Sequence, residues 1–266
     1  MEMPESKAKL VAATALCAAI YAVTSYATSY IESPWGIGQF RPAVIVPAVF
    51  AILFGPWVGG VGAAVGTFIQ SIARYGHPWL TLVSGTPANF FGFYLMGKLL
   101  KGRFTWVRFL TVSVLVLLSA NFLCAFGVLA FFVFARIFPA NLPASFYLGF
   151  STGLTLWWYI TMLPFILIAV PAILRAVAKS APHVVPEDVL KAVNSPVPSG
   201  LFTKTLIMSG VSMIAVGLCT LIPGAEWIAV AYRTPDLVLS GIRLMFLITG
   251  GGCTAVGVAV GATSRV

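Results

Sequence analysis

Residues 39–66, QFRPAVIVPAVFAILFGPWVGGVGAAVG, constrain this chain more than any other stretch. They are apolar enough for a lipid bilayer, yet Pro42, Pro47, Gly55-Pro56 and a run of glycines and alanines interrupt them. Proline lacks an amide donor and clashes with the turn before it, so inside a helix it kinks or breaks the helix. Pro47 is therefore expected to break the span that Pro42 opens. Gly55-Pro56 is expected to turn the chain between two short spans, near 42–55 and 57–73. Gly60, Gly62 and Gly66, with Ala63, would let the returning helix pack closely on a neighbour. A plain lipid-facing anchor needs none of this. A close-packed helix pair beside a pocket uses all of it, with Arg41 at the mouth.

The rest of the chain shows that the solvent is lipid. Of 266 residues, 59% are hydrophobic and 9% are charged, against about 25% charged in soluble domains. A bilayer core about 30 Å thick takes roughly 20 apolar residues as helix. Further spans are expected near 9–31, 79–98, 106–137, 146–175, 202–223 and 238–262, which makes eight. The fold class is all-α, a polytopic integral membrane helical bundle. The first apolar run, Leu10 to Ile31, exceeds the h-region of a secretory signal, about 7–15 residues. It reads as a retained span.

The basic residues set the orientation. With the N-terminus inside, the inner set is Lys7, Lys9, Lys98, Lys101, Arg103, Arg108, Arg175, Lys179, Lys191, Lys204 and Arg265. The outer set is Arg41, Arg74, Arg136, Arg233 and Arg243. This asymmetry obeys the positive-inside rule and puts both termini in the cytoplasm. The net charge of +9 thus encodes topology and gives no reason to expect a nucleic-acid partner. Residues 177–200 form a polar linker between a six-span unit, 1–176, and a two-span hairpin, 201–266. Pro186, Glu187 and Asp188 suit the first turn of a short helix, PEDVLKAV. The linker as a whole reads as a solvated connector.

What is missing narrows the mechanism. The seven acidic residues, Glu2, Glu5, Glu32, Glu187, Asp188, Glu226 and Asp236, all fall at a terminus or in an expected loop. Intramembrane ionisable groups normally mark proton relays and ion-coupling sites. No GxxxxGK[ST] loop is present to cradle ATP phosphates, and no H-E-x-x-H or G-x-S-x-G motif occurs. Cys17, Cys124, Cys219 and Cys253 lie in apolar segments without CxxC spacing, and read as small buried hydrophobes. No metal, cofactor or catalytic residue is expected. His77 and His183 are expected on opposite sides of the membrane.

Candidate binding residues gather on the outer side. The segment between the first two spans carries Trp35, Gln39 and Arg41, and the next outer loop carries Arg74, Tyr75 and His77. Within spans, Asn89, Asn121 and Trp157 add amides and an aromatic face. Interfacial aromatics also serve as belt residues, and arginines there also snorkel. The binding reading is a wet-rimmed pocket for a planar or anionic small molecule. In the first span, Ala15 and Ala19 are four apart, as are Ala18 and Ala22. Small residues at that spacing let helices approach closely, within the bundle or onto a partner.

The small-residue first span, FRPAVIVPAVFAILFGPWVGGVGAAVG and GTPANFFGFYLMGKLL together resemble the substrate-binding (S) component of energy-coupling factor transporters. The resemblance covers roughly residues 8–176. It implies a six-helix bundle in a prokaryotic plasma membrane that captures a vitamin-like micronutrient from outside. It implies docking through an alanine motif, here Ala15 and Ala19 with Ala18 and Ala22, onto a scaffold membrane subunit. That subunit joins two ATPases, so ATP hydrolysis belongs to partners and the chain itself is no enzyme. The implied pocket draws on Gln39, Arg41, Arg74, His77, Asn89, Asn121 and Trp157. The two spans after the linker are extra to the family pattern. One alternative is a membrane sensor or scaffold module of a signalling assembly. Another is an enzyme on lipid-linked substrates, for which Glu32, His77, Glu226 and Asp236 are the outer candidates.

Overall fold

The first helix, α1 (Lys7–Thr28), ends where Ser29 and Tyr30 turn the chain. The computed structural model describes residues 7–33, 37–139, 141–195, 199–221 and 235–263. After α1 the backbone doubles back on itself. The Ser33 amide donates to the Gly38 carbonyl at 2.8 Å, and the Phe40 amide to the Ile31 carbonyl at 2.7 Å. This antiparallel pinch ends at Arg41.

A 3-10 turn, Pro42–Val44, then feeds α2 (Ile45–Phe54). Pro47 does not break this span. It sits in the first turn of α2, where a backbone N–H has no intrahelical partner in any case. Gly55 turns the chain and Pro56 opens α3 (Pro56–Tyr75). The expected span at 79–98 is interrupted. A short α4 (Trp79–Val83) precedes α5 (Gly85–Leu100), and Ser84 between them has φ −125° and ψ −87°, outside the helical region. The Ser84 hydroxyl turns back to the Leu80 carbonyl at 2.6 Å. Such local side-chain bonds compete with helix continuation.

Two long helices follow, α6 (Trp106–Phe134) and α7 (Ala144–Ser180). Then come a 3-10 turn (Pro182–Val184), α8 (Glu187–Val193), α9 (Ser199–Cys219) and α10 (Pro235–Thr263). Helices α1, α6 and α7, with 202–219 of α9 and 239–262 of α10, are long and apolar enough to cross a membrane. Among the described residues there is no strand beyond the single Glu32–Gln39 bridge. The chain is an all-α, multi-pass membrane bundle.

Close helix approach explains the glycines of the opening stretch. A Cβ added at Gly62 would lie 2.6 Å from Cys17 Sγ, and one at Gly66 would lie 2.8 Å from the Ala18 carbonyl. Only glycine lets α1 sit this near α3. The core runs from these helices through α5, α6 and α7, with Tyr21, Phe109, Leu154, Leu163 and Leu167 fully buried.

The linker is more than a solvated connector. Val189, Ala192 and Val193 of α8 are buried. Trp106 Nε1 donates to the Ala192 carbonyl at 2.8 Å, and the Phe104 amide to Asp188 Oδ2 at 2.7 Å. On its exposed face, the Lys191 ammonium lies 2.6 Å from Glu187 and holds that carboxyl below its ordinary range. The 101–106 segment and the linker therefore share one end of the bundle. Residues 29–33, 37–41, 76–84, 135–139 and 141–143 occupy the other.

Candidate functional site

At the 29–41 end, a glycine fastens the loop to α7. Gly38 has φ +93°, a conformation that side chains with a Cβ rarely adopt. Its carbonyl accepts from the Ser33 amide and, at 3.1 Å, from Trp157 Nε1. A Cβ here would stand 3.0 Å from Leu154 and 3.2 Å from Trp157. Phe40 meets Phe165 edge to face with ring centres 5.5 Å apart. The loop thereby holds Gln39 and Arg41 over the interior.

Gln39 is 4% exposed and lies between two partners. Its Nε2 donates to Tyr75 Oη at 2.5 Å, and its Oε1 accepts from Arg41 Nη2 at 3.4 Å. The Nη2 bond holds the Arg41 guanidinium beside Gln39. Arg41 precedes Pro42, which disfavours helical backbone there, and it has φ −131° and ψ 56°. Asn121 lies one turn below Cys124 and is 4% exposed.

A second cationic group closes the rim. Arg74 Nη2 lies 3.6 Å from Glu32 Oε1, and its guanidinium stacks 4.2 Å above the Tyr30 ring. Cation–π contact and ion pairing together hold this arginine in place. Gln70, one turn below Arg74 on α3, is 1% exposed.

Among the described residues, five buried side-chain N–H groups have no hydrogen-bond partner, and neither do the hydroxyls of Ser25, Ser113 and Thr203. The five are Arg41 Nε, Arg74 Nε, Gln70 Nε2, Asn121 Nδ2 and Trp158 Nε1. All five are donors. An unpaired buried donor costs about 1–3 kcal/mol, and more when charged.

The sequence-derived candidates separate into groups. Gln39, Arg41, Arg74 and Tyr75 come together through the contacts above, and Trp157 joins them through Gly38. Asn121 is buried on α6 with its Nδ2 unpaired, and no hydrogen bond among the described residues joins it to this group. Asn89 is engaged elsewhere, since its Nδ2 donates to Thr67 Oγ1 at 2.7 Å and to Tyr21 Oη at 3.4 Å. His77 has an exposed side chain, and its carbonyl accepts from Ser71 Oγ at 3.4 Å. Trp35 lies outside the described residues. Sequence reading passed over Gln70 and Tyr30. Gln70 was within reach, because four residues separate it from Arg74 and put both on one helical face.

The alanines of α1 divide as well. Ala18 and Ala22 are buried, with the Ala18 carbonyl against Gly66, while Ala15 and Ala19 are exposed. Ala15 faces an apolar groove of about 520 Å³ that also includes Val11, Phe54, Trp57 and Val61. Among the described residues, no group of three or more His, Cys, Asp or Glu gathers to hold a metal.

A family model described as ECF-type riboflavin transporter, S component, matches residues 5–161, more than half of the chain. The chain belongs to that family. This makes the S component a membrane protein of vitamin uptake, a substrate-binding subunit of the energy-coupling factor type. The matched region spans α1 to the middle of α7 and contains Gln39, Arg41, Gln70, Arg74, Tyr75, Asn121, Trp157 and Trp158. Linker, α9 and α10 of the S component fall outside it. No similar protein was found among curated proteins, and none among solved structures.

Proposed function

We propose that this chain captures riboflavin, or a close flavin, on the outer side of the cell membrane. Uptake is then driven by a scaffold membrane subunit and ATPase subunits on other chains. The observation that carries the ligand assignment is the set of five buried donors without partners. Such a set is costly when empty and is relieved by a ligand rich in acceptors. A flavin ring presents carbonyl and ring-nitrogen acceptors along its edge. Its flat faces suit the indoles of Trp157 and Trp158 and the ring of Tyr75. The family model names riboflavin, which agrees with that chemistry.

The remaining assignments follow the same reading. Lysines and arginines crowd the linker end, which makes that end cytoplasmic and the Arg41 end external. Exposed Ala15 and Ala19 offer the scaffold subunit a smooth face on α1. Residues 1–176 form the binding unit, and 201–266 an appended hairpin beyond the 177–200 linker.

The test is titration of the purified protein with riboflavin, following flavin fluorescence and thermal unfolding. Quenching by the nearby indoles is expected. A hundredfold excess over Kd is expected to stabilise the protein by about 2.7 kcal/mol. A shift with another vitamin and none with riboflavin would reassign the ligand. Silence across a vitamin panel, with no scaffold or ATPase subunit recovered by pull-down, would end the proposal.

A further inference from the structure

Between the core and the C-terminal pair lies a slot of about 430 Å³, bounded by α6 and α7 on one side and α9 and α10 on the other. Its floor is apolar and closed, with Ile160, Met213 and Phe246 each 3% exposed or less. Its rims, Leu115 and Met208, are 58% and 70% exposed, so the slot opens on the flank of the bundle. All four bounding helices contain membrane-crossing stretches, so the medium at the opening is lipid.

The walls make little polar demand on an occupant. Thr111 Oγ1 donates to the Val107 carbonyl at 3.0 Å and Ser212 Oγ to the Met208 carbonyl at 2.8 Å. Tyr159 and Ser209 line the slot from α7 and α9. The occupant is therefore a hydrocarbon. A helix with its side chains is about 10 Å across, too thick for this space. A single acyl chain is thin enough.

Charge selects the class of lipid. Arg108 stands three residues before Thr111 and seven before Leu115, on the same stripe of α6. Lys204 stands four residues before Met208, on the same face of α9. Both lie one turn nearer the linker end than the slot, at the start of their helices, where headgroups meet protein. Arg108 Nε donates to the Leu99 carbonyl at 2.7 Å, which anchors the side chain at that level. Lys204 is exposed.

We propose that the slot binds one anionic glycerophospholipid, with an acyl chain between α6 and α9 and its headgroup on Lys204 and Arg108. The lipid fills the seam between the core and its appended hairpin. This site is separate from the flavin site and does not depend on that reading.

The experiment uses the full chain in nanodiscs containing phosphatidylglycerol and phosphatidylcholine. Retained lipid is counted by native mass spectrometry after release into mild detergent. Wild type is expected to keep one phosphatidylglycerol that Val114→Phe, which fills the slot, does not keep. Lys204→Gln is expected to lower the preference for phosphatidylglycerol over phosphatidylcholine about fivefold, the effect of one basic residue at a charged interface. A photoactivatable phosphatidylglycerol is expected to label peptides of α6 and α9 in unmodified protein, so the outcome does not hang on variant folding. Labelling confined to other helices overturns the proposal. So does equal retention of the two lipids by wild type, or a second copy of the chain crosslinked through the slot.

Discussion

Asn89 and Asn121 are the same residue type at similar depth, and their neighbours give them opposite roles. Asn89 ties α5 to α3 and α1 through Thr67 and Tyr21, whereas the Nδ2 of Asn121 has no partner. Asn89→Ala is expected to lower stability by about 1–2 kcal/mol, with flavin affinity nearly unchanged. Asn121→Ala is expected to weaken affinity about tenfold and leave the melting temperature in place, since it removes an unpaired donor. Scanning fluorimetry and fluorescence titration on both variants decide the matter, and a reversed pattern would exchange the roles. Arg41→Ala is expected to weaken binding by tenfold to about a hundredfold, because hydrogen bonds from a charged group are worth about 1.5–3 kcal/mol. Unchanged binding with lowered expression in the membrane would make Arg41 a snorkelling anchor instead.

At the scale of elements, the contact between α1 and α3 is where sequence and packing agree most closely. Gly66→Ala would push a methyl to 2.8 Å from the Ala18 carbonyl and 2.9 Å from the Tyr21 ring. Overpacking of this kind costs about 1–3 kcal/mol, visible as a lower melting temperature. It would also move the Tyr21 hydroxyl off Asn89. Gly251→Ala is the control, because a Cβ there meets nothing within 4 Å. Removing a helical glycine at an open position is expected to be neutral or to stabilise by about 0.5–1 kcal/mol. Equal losses from both variants would show that backbone freedom, not close approach, sets the value of glycine in these helices. The same stretch also holds a reading that packing reversed. Pro47 looks like a breaker in sequence, but its position within the first helical turn makes it a starter.

For the whole molecule, the proposed docking makes the two faces of α1 separate folding from assembly. Ala15→Trp is expected to leave the isolated chain stable and flavin-binding while abolishing pull-down of the scaffold subunit. Ala18→Trp is expected to destabilise the isolated chain, since that position is 4% exposed against α3. Retained assembly by Ala15→Trp would place the docking face elsewhere. Much of this architecture was legible in the sequence. Apolar run lengths located the helices, and the distribution of Lys and Arg argued their direction. Motif chemistry pointed to the family, and a missing ATP loop argued for partners. The candidate site residues were chosen because they are polar or aromatic, at the outer side or within spans.

The sequence by itself determined that this is an all-α membrane bundle, because a bilayer leaves the backbone no other way to satisfy its hydrogen bonds in an unbroken apolar run. Tertiary structure alone decided which polar groups satisfy one another and which stay open. Asn89 finds Thr67 across 22 residues and Trp157 finds Gly38 across 119. Pairing over such distances depends on which helix faces meet, and no local pattern encodes that. The opening stretch shows both halves. Its prolines and glycines announced a close-packed helix pair, and only packing showed that Arg41 bonds Gln39 while its Nε stays unpaired.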